Sequence, residues 1–166
     1  MSPRLLLAAL ALVSVGAVAT AVALQTIFGM QPCPWCILQR VIYLGVALAA
    51  LLGLLWRTRA GTLVSAGLIA ILASCGMAAA LWQHFVAAAS ASCDLTLAER
   101  IVSALTLDER WPEVFTAYAS CKDAAVDLLG VPFELWSLAL FAGMLLVAIK
   151  VLRSDSRRRP QLRRDH

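Results

Sequence analysis

Charge is scarce in this sequence. Asp, Glu, Lys and Arg make up 14% of its 166 residues, whereas 61% are hydrophobic. That balance excludes a water-soluble globular domain, which needs far more polar surface. Aromatic residues are few as well, at 7%. Phosphate-binding glycine loops, the G-x-G-x-x-G dinucleotide fingerprint and the C-x-x-C-H haem attachment pattern are all missing, so no soluble-cofactor motif is present. What the sequence has instead is long apolar runs. Four of them, Leu5–Ile27, Ile37–Trp56, Thr62–Phe85 and Pro132–Leu152, are long enough to cross a hydrocarbon core, which takes roughly 20 helical residues.

The expected fold is therefore all-α, a four-helix transmembrane bundle forming a single membrane domain over 1–166. It has outer loops at 28–36 and 86–131 and a basic tail at 153–166. The first run has a rival reading as a secretory signal peptide, since it starts basic and ends in Ala21-x-Ala23. Its uncharged stretch exceeds the roughly 7–15 residues of a signal core, which favours a retained helix. Basic residues set the orientation. Arg57 and Arg59 sit in the short connector "RTRAG", and the tail after Ala148 holds seven basic residues against two acidic ones. The long connection from Val86 to Val131 is acidic, with seven carboxylates against three basic side chains. By the positive-inside rule the connector and both termini face the cytoplasm and the two long loops face outward. A basic tail next to a membrane helix is explained by topology and anionic lipid, so no nucleic-acid partner is expected.

The five cysteines sort by this topology. Cys33, Cys36, Cys93 and Cys121 fall on the outer side, where disulfides persist. Cys75 falls inside the third run, where an apolar setting makes a thiol inert, and is expected to be a small packing residue beside Gly76. Four outer thiols permit three disulfide connectivities. They also permit a zinc site, although Cys93 and Cys121 are too far apart to form a second C-x-x-C half-site, or two purely structural bridges. No metal is expected, and the tight C-x-x-C loop favours exchange chemistry.

The stretch "QPCPWCILQR" concentrates that chemistry. Cys36 lies at the start of a helix, where free N–H groups and the helix dipole favour an anion. Arg40 follows one turn later on the same face, a second source of thiolate stabilisation and a donor for a ligand oxygen. Cys33, ahead of the helix, receives less of this help. Gln25, Gln83 and His84 are polar residues at outer span ends. His84 is either an interfacial residue or a hydrogen-bond partner for a ligand held near Arg40. Trp82, Trp136 and Tyr43 at outer ends and Trp56 at an inner one fit an aromatic belt. Within the long loop, Thr96 to Glu99 forms a capping box ahead of a short amphipathic helix. Pro112 is expected to interrupt its continuation. Ser120 to Leu129 is expected to form a further helical piece ended by Gly130. Cys93 and Cys121 would then flank a flexible loop that a protein partner can reach.

Taken together, four spans, C-P-W-C-I-L-Q-R opening the second, a second outer cysteine pair and "WPEVF" between its members make the chain resemble the DsbB family. These are bacterial inner-membrane disulfide bond formation proteins. The resemblance covers nearly the whole chain. It implies a thiol:quinone oxidoreductase that reoxidises a periplasmic thioredoxin-like oxidase of the DsbA type. The DsbA-type dithiol would attack the Cys93–Cys121 disulfide at Cys93, and exchange between Cys33 and Cys121 would pass the electrons to the Cys33–Cys36 pair. Cys36 would deliver them to the membrane quinone pool, a ubiquinone or a menaquinone, held near Arg40 with help from His84. Two departures stand out: Gln39 occupies the place before the arginine where the family commonly has an acidic residue, and His84 is unusually close to Cys93. Some relatives serve a dedicated thioredoxin-like partner. Rival readings are a quinone reductase of the vitamin K epoxide reductase type, whose C-x-x-C lies within a later span, and a metal-binding or structural membrane protein held by its outer cysteines.

Overall fold

The computed structural model describes residues 2–87, 97–124 and 126–156. Cys93, the capping-box Thr96 and the basic tail beyond residue 156 lie outside them.

Four helices are each long and apolar enough to cross a membrane: α1 (Pro3–Phe28), α2 (Pro34–Leu55), α3 (Arg59–Trp82), which continues as a π-turn over Gln83–Ala87, and α7 (Phe133–Ser156). Their ends are written locally. The Ser2 hydroxyl accepts the Leu5 N–H ahead of Pro3, and α1 stops at Gly29, whose φ of 66° suits a residue without a Cβ. Thr58 caps α3 by accepting the Gly61 N–H at 3.2 Å. Cys33 caps α2, with Pro34 at its first position.

In lipid there is little hydrophobic drive to bring helices together, so close backbone approach and interhelical hydrogen bonds must do it. The seams are accordingly built from small residues. On the α2–α3 seam Gly53 lies against Ser65, whose hydroxyl donates to the Ala49 carbonyl. On the α3–α7 seam Gly76 lies flat against the ring of Phe141. That ring in turn stacks on Tyr43 of α2, with centroids 4.2 Å apart and an interplanar angle of 10°. Tyr43 is thus a core residue rather than a belt residue; its hydroxyl donates to the Ser137 carbonyl. Cys75 also departs from expectation. It faces out of the bundle, and the packing position belongs to its neighbour Gly76, because one helical step of about 100° separates the two faces.

α2 packs on α1 and α3, and α3 packs on α7, but α1 and α7 meet chiefly through Leu6, Val151, Ser14 and Met144. Their other halves leave a cleft at the cysteine-bearing end.

The second loop covers that end. It contains α4 (Leu97–Ala104), α5 (Leu107–Arg110), α6 (Pro112–Phe115) and a two-stranded ladder of β1 (Asp127–Leu128) and β2 (Val131–Pro132). Val102 and Phe115 pack on Ile37 of α2, which anchors the cover. A first break falls at Thr106, whose φ is 52°. As expected, the helical path is interrupted again ahead of Pro112, where Trp111 is non-helical, and Pro112 then opens α6, because its missing N–H is harmless at a first position. The helical piece expected over Ser120–Leu129 is instead a turn followed by a hairpin. Leu129 and Gly130 both have positive φ, the primed-turn geometry that joins antiparallel strands.

Gly76→Ala tests the seam. A Cβ there would lie 2.6 Å from three ring carbons of a fully buried Phe141 that cannot yield without disturbing Tyr43. The substitution should cost about 1–3 kcal/mol of stability in a denaturant titration in lipid. Gly67→Ala, with nothing within 4 Å, should be near neutral.

Candidate active site

The first turn of α2 and the second loop bring three sulfurs together. The Pro32 carbonyl accepts N–H groups from Tyr118 and Ala119, at 3.0 and 3.4 Å. This short pairing draws Cys121 to within hydrogen-bonding contact of Cys33. Cys33 Sγ lies 2.7 Å from Cys36 Sγ and is completely buried. Cys33 therefore has a cysteine on either side. Its thiol is held well above the ordinary range, first by hydrogen bonding to Cys121, then by hydrogen bonding to Cys36 and by burial. Cys121 moves the other way, because Cys33 supplies the proton of their hydrogen bond. Cys121 is itself buried, not carried on a free loop as the sequence suggests. Cys93 lies outside the described residues.

The helix end acts differently from the sequence expectation. The free N–H of Cys36 points to Cys33 Sγ at 3.3 Å, so the amide help goes to the capping cysteine. Arg40 is buried, but its hydrogen bonds run away from the sulfurs. Its Nη1 donates to Gln25 Oε1 of α1 at 2.9 Å and to the Val114 carbonyl of α6 at 2.7 Å. The polar neighbour of Cys36 is Gln83, whose Nε2 donates to Cys36 Sγ at 3.2 Å. Gln83 Oε1 in turn accepts from Gln39 Nε2 at 2.8 Å. Gln39 and Gln83 are both almost fully buried.

Beside Cys36 the cleft between α1 and α7 widens into a cavity of about 380 Å³. Its walls are largely apolar, with Ala17, Ala21 and Leu24 from α1 and Phe133 and Leu140 from α7. Cys36, Gln39, Arg40, Gln83 and Glu134 bring the polar groups to one end. Apolar walls with a few convergent polar atoms are the usual form of a small-molecule site. A guanidinium has more donors than the two bonds of Arg40 use.

His84 stands one residue beyond Gln83 in the π-turn, a feature frequent at functional sites. It does not line the cavity. Its Nδ1 lies 2.8 Å from Glu134 Oε1, and the buried Glu134 is the group that lines the wall. In the sequence Glu134 is a lone charge near the start of the fourth run and Gln83 a polar residue at a span end. The signal was there, because a lone carboxylate or amide in an apolar run needs a partner. Their partners lie 50 and 47 positions away, so the pairings were not legible.

Comparison with known proteins agrees with this geometry. The family model described as Disulfide bond formation protein DsbB matches residues 3–151. Among curated relatives, Disulfide bond formation protein B of Dechloromonas aromatica is 34% identical over 148 residues, covering 86% of this chain and 87% of that protein. The protein of the same name from Nitrosomonas europaea is 31% identical over 156 residues, covering 92% and 95%. That from Cupriavidus necator is 32% identical over 148 residues, covering 88% and 91%. A cluster of three cysteines at one end of a four-span bundle and relatives of this kind lead to one assignment: the chain belongs to the DsbB family of membrane disulfide bond formation proteins and is a thiol oxidoreductase.

Proposed function

We propose that this protein, a single membrane domain, takes electrons from a periplasmic thioredoxin-like dithiol of the DsbA type and delivers them to the membrane quinone pool. The observation that carries this reading is the position of Cys33, in contact with both Cys36 and Cys121 beside an apolar cavity. Such a sulfur can exchange with either neighbour without a large movement of the backbone. The orientation follows from charge. Arg57 and Arg59 lie at the end opposite the cysteines, and the acidic second loop covers the cysteine end, which supports an orientation with the cysteines outside and both termini in the cytoplasm.

The exchange steps balance. A donor thiolate attacks Cys93 of a Cys93–Cys121 disulfide, and Cys121 leaves as the thiolate. Cys121 attacks Cys33 of the Cys33–Cys36 disulfide, and Cys36 leaves with the electron pair. The second donor thiol displaces Cys93, which closes the donor disulfide. Cys93 then attacks Cys121, restoring that pair and freeing Cys33. The attacking sulfur must be a thiolate, and contact between Cys121 and Cys33 leaves little distance for the attack to cover. A quinone bound in the cavity supplies the two-electron, two-proton acceptor through which the Cys33–Cys36 bond is remade. Cys36 lies on the wall of that cavity, Arg40 offers donors to a ligand oxygen, and His84 acts on the wall through Glu134.

Trapping tests the entry point. A reduced thioredoxin-like donor lacking its second cysteine should form a mixed disulfide that peptide mapping locates at Cys93. Quinone reduction by the purified protein should disappear in Cys36→Ser; turnover that survived would remove Cys36 from the route. Arg40→Ala should raise the apparent KM for quinone by about tenfold, the order expected for a lost hydrogen bond to a charged donor. An unchanged KM would take Arg40 out of the site. The opposite displacements of Cys121 and Cys33 give a pH prediction for the fully reduced protein. Site-resolved alkylation should show Cys121 becoming reactive at a lower pH than Cys33, and the reverse order would contradict the hydrogen bond in which Cys33 keeps the proton beside Cys121.

A further inference from the structure

Arg40 makes no hydrogen bond to the Cys36 sulfur, which is held directly by the thiol and backbone of the capping Cys33 and by one side chain of another helix. Among the described residues, the one side-chain N–H directed at Cys36 Sγ comes from Gln83, at 3.2 Å. An amide presents a donor at one end and an acceptor at the other, and the two ends are nearly the same shape. Which end faces the sulfur is decided by what holds the opposite end. Here Gln39 Nε2 donates to Gln83 Oε1 at 2.8 Å, which turns the N–H of Gln83 toward Cys36. The two glutamines come from neighbouring helices across an apolar seam, and both are almost fully buried. Water is a weak competitor for these bonds, and a hydrogen bond is stronger in such a medium than at the surface.

The geometry points to Gln83 as a positioning residue that, together with the capping Cys33, holds the Cys36 sulfur in its anionic form, with Gln39 fixing the direction of the Gln83 amide. This rests on the reading of Cys36 as the sulfur that delivers electrons. It takes the place expected for the guanidinium as a close donor beside Cys33. Gln83 is a neutral donor, so it favours the thiolate without itself releasing or taking a proton. It also leaves Arg40 available to join α1, α6 and the cavity wall.

Other groups act on Cys36 and must be kept constant. These are Cys33 and Arg40 at the start of α2 and Cys121 of the second loop; Glu134 of α7, paired with His84 of the π-turn, shares the cavity wall with Cys36. None of them is altered by changing Gln83 to an apolar residue of similar length.

The test uses the full chain, reduced, in nanodiscs without quinone. The pH dependence of alkylation is followed at each cysteine by peptide mass. In Gln83→Met the Cys36 profile should move to higher pH, and its rate at neutral pH should fall about tenfold, the scale of one hydrogen bond to a charged group. The Cys121 profile should stay in place, which a general loosening of the fold would not allow. Gln39→Leu should give a smaller displacement of the Cys36 profile in the same direction. A Cys36 profile in Gln83→Met that superposes on the wild type would overturn the inference, and an unmoved Gln39→Leu profile would overturn the orienting role of Gln39. The unaltered chain gives a second measurement that does not depend on how a variant folds. Its Gln83 side-chain amide proton resonance should shift with the midpoint of Cys36 titration, and a resonance indifferent to that titration would also overturn the inference. Failure of the quinone reading itself shows elsewhere, in turnover that persists in Cys36→Ser.

Discussion

Burial of the Cys33 sulfur is the constraint from which the rest of the site follows. It caps α2 by accepting the Cys36 N–H, touches Cys36 on one side and Cys121 on the other, and has no exposed surface. A capping position has extended backbone and a side chain folded back over the first turn, so a cysteine there is brought to the cysteine three residues on. Pro34 fixes that start, and the Pro32 carbonyl ties the same segment to Tyr118 and Ala119. Two strands of chain far apart in sequence are thereby clamped at the point where sulfur exchange requires them.

The bilayer explains how the polar part of the site is arranged. Among the described residues, no buried side-chain nitrogen or oxygen lacks a hydrogen-bond partner. Unpaired polar groups are costly where water is absent, so each buried side chain selects a specific neighbour. Gln39 and Gln83 satisfy each other and Cys36; Arg40 takes an amide oxygen from α1 and a carbonyl from α6; His84 takes Glu134. Each of these bonds joins two different elements. The network that positions the chemistry also fixes α1, α3, α7 and the covering loop around the start of α2.

The cavity is a product of the same packing. α3 bridges α2 and α7 through a seam tight enough that Gly76 meets the Phe141 ring, while α1 leans on α2. With α1 and α7 in little direct contact along their cysteine-side halves, space remains between them within the membrane thickness. That space adjoins Cys36 and is lined mainly by apolar side chains, which suits a lipid-soluble molecule.

Much of this was legible in the sequence, and the division has a physical basis. Apolar run length sets the four helices, because a membrane leaves the backbone few other ways to satisfy its hydrogen bonds. Ser2, Cys33–Pro34 and Thr58 mark where helices start, since caps act within one turn. The C-x-x-C spacing and the second cysteine pair announce thiol chemistry for the same local reason. What lay out of reach depended on contacts across the bundle. Arg40 is one turn from Cys36, yet its guanidinium is drawn to Gln25 and Val114, and Gln83, a residue of another helix, takes the place beside the sulfur. Cys75 faces outward and its neighbour Gly76 packs instead, because a rotation about the helix axis decides which faces inward. Spacing along a chain determines which side chains share a helix face; only the meeting of faces in three dimensions determines which polar atoms find each other, because a hydrogen bond needs both partners within about 3 Å.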